Sequence, residues 1–188
     1  MIKLNNISFS YSDKEIFKDF SLQIKDNDHI WLSGGSGIGK TTLIRLILGL
    51  EKAQKGEIVI KKDSKPSAVF QEDRLLPFKT VLQNILLVSD NQTLAIENSK
   101  ALGLENETNL KINQLSGGMA RRVAVARALS CDFDYLILDE PFTGLDKENV
   151  ILAIKQILKV AKNKPIIIIT HSPFEAELLG AKEIKLQT

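Results

Sequence analysis

Cysteine is almost absent from this chain, and long apolar segments are missing. Cys131 is the only cysteine among 188 residues, so no disulfide framework can form within the chain. No segment is long and apolar enough to cross a bilayer, and Met1–Asn5 lack the pattern that opens a signal peptide. We therefore expect a protein of the reducing cytoplasm. If it works at a membrane, another chain must supply the membrane-spanning part.

An excess of charge of one sign is also missing. The chain has 25 Lys and Arg residues against 23 Asp and Glu residues, a net charge of +2. Such a balance gives no support for a nucleic-acid or anionic-membrane surface. Repeats, low-complexity tracts and long linkers are absent from the sequence. A chain of this length can bury about 70% of its unfolded surface, so residues 1–188 are predicted to form one domain.

Short apolar segments predict an α/β fold with a mainly parallel core sheet. The predicted strands span residues 2–9, 20–24, 29–33, 57–61, 68–70, 135–138 and 166–170. The predicted helices span residues 42–50, 80–88, 93–104, 121–129 and 150–161. Residues 1–70 are expected to hold a small, partly antiparallel sheet around a glycine-rich loop, and residues 72–114 a helical insertion. Strand–helix–strand order in the second half implies right-handed parallel crossovers.

The glycine-rich loop has the spacing of a phosphate-binding loop. Its predicted ligand-binding residues are Gly34, Gly35, Ser36, Gly37, Gly39, Lys40, Thr41 and Thr42. Glycines allow positive φ and a close approach of amide groups to phosphate, and the helix that follows adds its dipole. Lys40 is expected to reach the β- and γ-phosphates and Thr41 to ligate Mg²⁺. The alternative is a glycine-rich turn with an incidental lysine.

Two acids follow the apolar run of residues 135–138. Asp139 and Glu140 would lie at the carboxyl end of a buried strand, next to the phosphate loop. Asp139 is predicted to hold Mg²⁺ through water, and Glu140 to act as the general base on the attacking water. The alternative for Glu140 is a solvent-facing or helix-capping acid.

Two further polar residues also follow predicted strands. His171 ends the strand at 166–170 and is predicted to contact the γ-phosphate or the attacking water. Gln71 ends the strand at 68–70, and its amide is predicted to touch Mg²⁺ or the water. The alternative for His171 is a surface-turn histidine, and Gln71 taken alone is an ordinary loop glutamine.

A second glycine pair lies far from the first loop. Ser116, Gly117 and Gly118 offer a hydroxyl and bare amides at the start of a helix. One chain cannot easily wrap both segments around one triphosphate, so we expect them to bind the triphosphate of a second copy. A plain helix N-cap is the alternative for Ser116, and an N-cap is the favoured role of Asp146. Tyr11 is predicted to stack on adenine or to pack on the core.

With these residues in place, the chain resembles the ATPase subunit of an ATP-binding cassette (ABC) transporter, a P-loop NTPase. The motifs of that family occur in order: Tyr11, Walker A at 34–42, Gln71, the signature at 115–119, Walker B with Glu140, the D-loop at 143–146, and His171. Residues 71–77 resemble those of nitrate, sulfonate and taurine importers. Met119 stands where glutamine is usual in the signature, and Gly144 where alanine is common.

The resemblance implies that ATP and Mg²⁺ are bound between two cassettes arranged head to tail, where ATP closes the dimer and hydrolysis opens it. It also implies a membrane permease subunit that docks near Leu75–Phe78 and holds the chain at the inner face of the cell membrane. Two other functions compete. A soluble ABC ATPase of protein assembly or cell division remains open. A small-molecule kinase would explain Lys40 and Asp139 but not residues 115–118 or His171.

Overall fold

The computed structural model describes residues 1–187, and its strands fall into two sheets. The strands are β1 (Ile2–Tyr11), β2 (Lys14–Ile24), β3 (His29–Ser33), β4 (Lys55–Ile60), β5 (Pro66–Val69), β6 (Tyr135–Asp139), β7 (Ile166–Ile169) and β8 (Lys182–Lys185). The first sheet has the order β5-β6-β7-β3-β8, and its neighbouring strands are parallel. The second has the order β2-β1-β4 and is antiparallel.

The parallel sheet is covered on both faces. Along β7, Ile166 and Ile168 belong to one apolar cluster and Ile167 and Ile169 to another. Side chains of a strand alternate between the two faces, so a central strand covered on both sides needs a continuous apolar run. The continuous apolar runs in the sequence of β6 and β7 therefore identify these strands as interior strands of the sheet.

The two sheets divide the strands differently from the sequence-based expectation. Residues 1–70 do not hold a single sheet around the glycine-rich loop: β3 and β5 belong to the parallel sheet, and only β1, β2 and β4 form the antiparallel one. The reason is that β3 pairs with β7 and β5 pairs with β6, two strands far along the chain. Residue patterns within one segment carry no information on such partners.

Six helices accompany the sheets in the described part of the chain. They are α1 (Lys40–Ile47), α2 (Val81–Ile85), α3 (Gln92–Ala101), α4 (Gly117–Leu129), α5 (Lys147–Val160) and α6 (Pro173–Leu178). The five predicted helices are all present, with shifted ends. Strand β8 and helix α6 were not predicted, because their short, charged segments show too little periodicity. No helix among the described residues combines the length and apolar character needed to span a bilayer.

Helices α2 and α3 lie in the predicted insertion and are fixed by their own caps and by a buried polar network. Thr80 caps α2 in a reciprocal pair with Gln83. From α3, Asn98 donates to Ser130 Oγ at 2.9 Å and accepts from Gln156 of α5 at 2.7 Å. These three side chains are buried, so their polar atoms need each other. The network ties the insertion to α5 beside the core sheet.

Candidate functional site

A cleft of about 580 Å³ opens at the carboxyl ends of the parallel strands. Most of the predicted site residues line it. They are Tyr11, Ser36, Gly37, Gly39, Lys40, Thr41, Thr42, Gln71, Asp139, Glu140 and His171. Residues from five separate segments thus converge on one edge of the sheet, the edge at which open α/β sheets bind ligands.

The glycine-rich loop owes its shape to β2, which packs over it. Gly39 has φ of 109°, and a Cβ atom added there would lie 2.6 Å from Cγ2 of Ile16. Only glycine fits this combination of left-handed backbone and close approach. Gly39 is also the N-cap of α1, and no side chain caps that helix. The first amide groups of α1 therefore remain available to an anion in the cleft.

Lys40 folds back over the loop from the first position of α1. Its Nζ donates to the carbonyl oxygen of Gly34 at 2.7 Å and of Gly35 at 2.9 Å. Gly34 and Gly35, the two predicted loop residues that do not line the cleft, thus contact Lys40 through their carbonyl oxygens. They hold a positive charge at the loop, where phosphate oxygens would be stabilised by it.

Thr41 and Asp139 meet across the floor of the cleft. The Thr41 hydroxyl donates to Oδ2 of Asp139 at 3.3 Å. Asp139 is only 3% exposed, and burial raises the pKa of its carboxyl above the ordinary value, while the Thr41 hydrogen bond and the charges of Arg121 and Lys40 lower it. A hydroxyl beside a carboxylate is an oxygen donor set that suits Mg²⁺ with water and phosphate oxygens.

Glu140 lies next to this pair, in a strained backbone conformation. Its φ is 49°, and its amide donates to the carbonyl oxygen of Ile169 at 2.9 Å. The side chain is 19% exposed and reaches towards His171, with 3.3 Å between Oε1 and Nε2. Burial raises the pKa of Glu140, His171 counteracts this, and Asp139 adds to the rise. A carboxylate of raised pKa facing a phosphate site has the properties of a general base.

His171 is held by contacts that the sequence did not indicate. The preceding residue, Thr170, accepts from the indole Nε1 of Trp31 at 3.0 Å through its carbonyl oxygen. The Thr170 hydroxyl donates to Glu175 of α6 and accepts from the amide of Ser172 at 3.0 Å. The turn after β7 is thus anchored on both sides, which leaves the imidazole 70% exposed towards the cleft.

Gln71 lies at the rim, two residues after β5, with an exposed side chain. Its backbone is held by Arg121, which sequence reasoning missed. The guanidinium donates to the carbonyl oxygens of Phe70 and Gln71, each at 2.7 Å. The sequence contained one signal for this role of Arg121: two adjacent arginines in a helix whose other residues are mostly small and apolar.

Ser116, Gly117 and Gly118 lie outside the cleft, at the start of α4. Ser116 is exposed and caps the helix, accepting from the amide of Met119 at 3.3 Å. A Cβ atom on Gly118 would lie 3.0 Å from the carbonyl oxygen of Gly144. The N-cap interpretation of Ser116 is confirmed, as is that of Asp146, which accepts from the amide of Asn149 at 2.9 Å. A role towards a second chain stays a prediction.

Tyr11 combines features of both its interpretations. Its ring packs edge-on against Phe9, with 4.8 Å between centroids, and its hydroxyl donates to Oε1 of Glu51 at 3.2 Å. The side chain is nevertheless 38% exposed and lines the cleft. The exposed ring is therefore fixed in place at the rim.

Known proteins are similar to this chain in sequence and in fold. The family model described as ABC transporter matches residues 17–143. An ABC transporter ATP-binding protein of Methanocaldococcus jannaschii is 32% identical, over 98% of this chain and 77% of its own. An aliphatic sulfonates import ATP-binding protein of Paraburkholderia xenovorans is 33% identical, over 100% of this chain and 77% of its own, in agreement with the resemblance of residues 71–77.

A solved structure is similar over nearly its whole length. It is a dimeric ATP-binding cassette in a post-hydrolysis state, bound to ADP and Pi, with a TM-score of 0.87 and 28% identity. The match covers 100% of this chain and 94% of that one. The sequence matches and this likeness agree with the site geometry, and the chain belongs to the ABC transporter family as an ATP-binding subunit.

Proposed function

We propose that this chain binds ATP together with Mg²⁺ in the cleft and hydrolyses it to power a membrane transporter. As a member of its family the chain is an ATP-binding and ATP-hydrolysing subunit. The observation that supports this site best is the pairing of Thr41 with Asp139 beside the pairing of Glu140 with His171. One pair offers oxygen ligands for a metal, and the other a base with a partner.

The proposed roles follow from the position of each side chain. Lys40 and the amides of the loop hold the β- and γ-phosphates, and Tyr11 stacks on the adenine. Thr41, Asp139 and Gln71 would hold Mg²⁺, which would neutralise charge on the phosphate oxygens. Glu140 takes a proton from the attacking water. In that arrangement His171 donates to the γ-phosphate or orients the water.

We propose further that two copies pair head to tail when ATP is bound. In such a pair, the exposed Ser116 and the amides of Gly117 and Gly118 face the triphosphate held by the partner. An exposed helix start with bare glycine amides supports this, because it is suited to an anion. The solved relative bound to ADP and Pi is a dimer.

A membrane permease is the proposed second partner. Next to the Gln71 segment, Leu76 is 43% and Phe78 78% exposed, which makes an apolar surface available to another protein. Through this partner we place the chain on the cytoplasmic side of the membrane. We also propose that residues 1–188 form a single domain, with residues 72–114 as an insertion that the buried Asn98 network ties to α5.

The Glu140→Gln variant provides the test of this function. Its ATP-bound form is used to capture partners from solubilised membranes of the native cell, which are identified by mass spectrometry. A stoichiometric protein with several membrane spans is the expected result. Recovery of soluble partners alone would instead favour an ABC ATPase of protein assembly or cell division, and an absence of ATP turnover by the unsubstituted protein would contradict the enzymatic assignment.

A further inference from the structure

We propose that Arg121 is a positioning residue that couples the first turn of α4 to Gln71. This inference rests on the proposed function, because it links the helix start offered to a second chain with the glutamine of the chain's own cleft. Arg121 lies between the first turn of α4 and the Gln71 segment. Of the residues that form this link, Gln71 alone lines the cleft.

The first element of the link is the rigid start of α4. Arg121 lies four residues after Gly117, one helical turn from the N-terminus of the helix. The amide of Ala120 donates to the carbonyl oxygen of Ser116 at 2.9 Å and that of Met119 to its hydroxyl at 3.3 Å, so Ser116 is tied to the first turn of the helix. A displacement of Ser116 by a ligand or partner therefore displaces Arg121 with it.

The second element is the grip of Arg121 on the glutamine segment. One guanidinium nitrogen donates to the carbonyl oxygen of Phe70 and another to that of Gln71, each at 2.7 Å. The side chain is 5% exposed and forms an ion pair with Asp73, with 2.8 Å between Nη1 and Oδ1. A buried cation with several partners has little freedom to rearrange. It therefore holds the backbone on both sides of the Gln71 Cα atom.

Arg127 provides a matched comparison on the same helix. Its guanidinium donates to the carbonyl oxygens of Asp73 at 2.8 Å and Arg74 at 2.7 Å. It lies six residues further along, about 9 Å along the helix axis, and holds backbone beyond Gln71. Loss of Arg127 should loosen the same segment without releasing the glutamine itself.

Arg121 provides a route for communication between the two nucleotide sites of the proposed dimer. When the start of α4 engages the nucleotide of a second copy, Arg121 carries the movement to the backbone of Gln71 in its own cleft. Binding at one site of the dimer is then felt at the metal and water of the other. Arg121 lines no part of the cleft, but its charge lowers the pKa of Asp139, so the coupling is measured with Arg121→Lys, which keeps that charge and whose effect on turnover should pass through Gln71.

A double-mutant cycle on ATP turnover tests this. We expect Arg121→Gln to lower kcat on the order of 10-fold with little change in KM, since misplaced groups cost rate more than binding. In a Gln71→Ala background the charge-preserving Arg121→Lys should have almost no further effect, because its route is already removed. Arg127→Gln should have a smaller effect that adds to that of Gln71→Ala.

The outcomes separate the inference from the function on which it rests. Turnover by the unsubstituted protein tests the function, and additive losses for Arg121 and Gln71 would overturn the coupling alone. Arg121→Lys guards against misfolding, because it keeps a buried positive charge beside Asp73 but offers one donor nitrogen in place of the rigid guanidinium fork, whose two nitrogens reach the Phe70 and Gln71 carbonyls separately. Its kcat should fall and again fail to add to Gln71→Ala, with thermal unfolding close to that of the unsubstituted protein. Full kcat in a folded Arg121→Lys variant would also count against the coupling.

Discussion

Nε2 of His171 lies 3.3 Å from Oε1 of Glu140 at the mouth of the cleft. The carboxylate is mostly buried and the imidazole mostly exposed, so the pair connects the protein interior to the open side of the cleft. Burial raises the pKa of Glu140 and His171 opposes that rise. The histidine thus helps to keep the glutamate ionised and ready to accept a proton.

We expect Glu140→Gln to abolish turnover and to preserve ATP binding, because the base is removed while the phosphate loop is unchanged. Loss of a general base lowers kcat by about 10²–10⁴-fold. Steady-state phosphate release and equilibrium binding of a fluorescent ATP analogue provide the measurements. Glu177→Gln, at an exposed position of α6, should change neither quantity. Near-normal turnover in Glu140→Gln would remove this residue from the mechanism.

The activity should depend on pH through Glu140. Its raised pKa means that the carboxyl is protonated at higher pH than an ordinary glutamate, so kcat should fall early on the acid side. In His171→Ala the residue that lowers this pKa is gone, and the acid limb of the kcat profile should move to higher pH. The profile of each variant is compared after normalisation to its own maximum. An unmoved limb would show that another group controls it.

Asp139→Asn should stabilise the nucleotide-free protein at neutral pH. A carboxyl whose pKa is raised by folding binds its proton more tightly when folded, so its contribution to stability is lost as the pH rises through the folded pKa. Asparagine carries no charge, so the variant avoids the free-energy cost of burying an ionised carboxylate at neutral pH. The gain in Tm should disappear below the pKa of an unfolded aspartate, about 3.9, and stabilisation by ATP with Mg²⁺ should be lost.

Asp90→Asn, at an exposed position, is the control for this experiment and should leave Tm unchanged. A lower Tm for Asp139→Asn at neutral pH would mean that Lys40 and Arg121 stabilise the buried charge by more than its burial costs.

Gly39→Ala should destabilise the fold and weaken ATP binding. The added methyl group would lie 2.6 Å from Ile16 at a φ of 109°, and strain of this kind costs about 1–3 kcal/mol. Denaturant unfolding measures the loss. Gly117→Ala has no atom within 4 Å of the new Cβ and should unfold at the same denaturant concentration as the unsubstituted protein. Equal stability of the two variants would contradict the role of β2 in shaping the loop.

Ser116→Arg should block ATP-driven dimerisation and leave ATP affinity of the monomer intact. A bulky cation would fill the space in which the second chain's triphosphate is proposed to lie. Size-exclusion chromatography in Mg-ATP, in a Glu140→Gln background, measures the dimer. Thr93→Arg adds the same charge at an exposed site of α3 and should dimerise normally. Undiminished dimer formation by Ser116→Arg would argue against a site shared between two chains.

The sequence by itself determined the local elements of the site. The glycine spacing of residues 34–39 predicted the phosphate-binding loop, and the apolar runs of β6 and β7 predicted central strands. Ser116 and Asp146 predicted the starts of two helices. Each of these elements depends on the conformational preferences of neighbouring residues, which can be recognised within a short stretch of sequence. Since parallel strands end at one edge, the sequence also brought Asp139, Glu140 and His171 together.

Only the tertiary structure decided which distant residues support them. Strand β3 pairs with β7 and β8 rather than with its neighbours in sequence, Trp31 anchors the turn before His171, and Arg121 grips the backbone at Gln71. These contacts end on backbone atoms, which every residue carries, so no side-chain pattern marks the acceptor. Their donors are fixed by packing of segments far apart in the chain, and that packing exists only once the chain has folded.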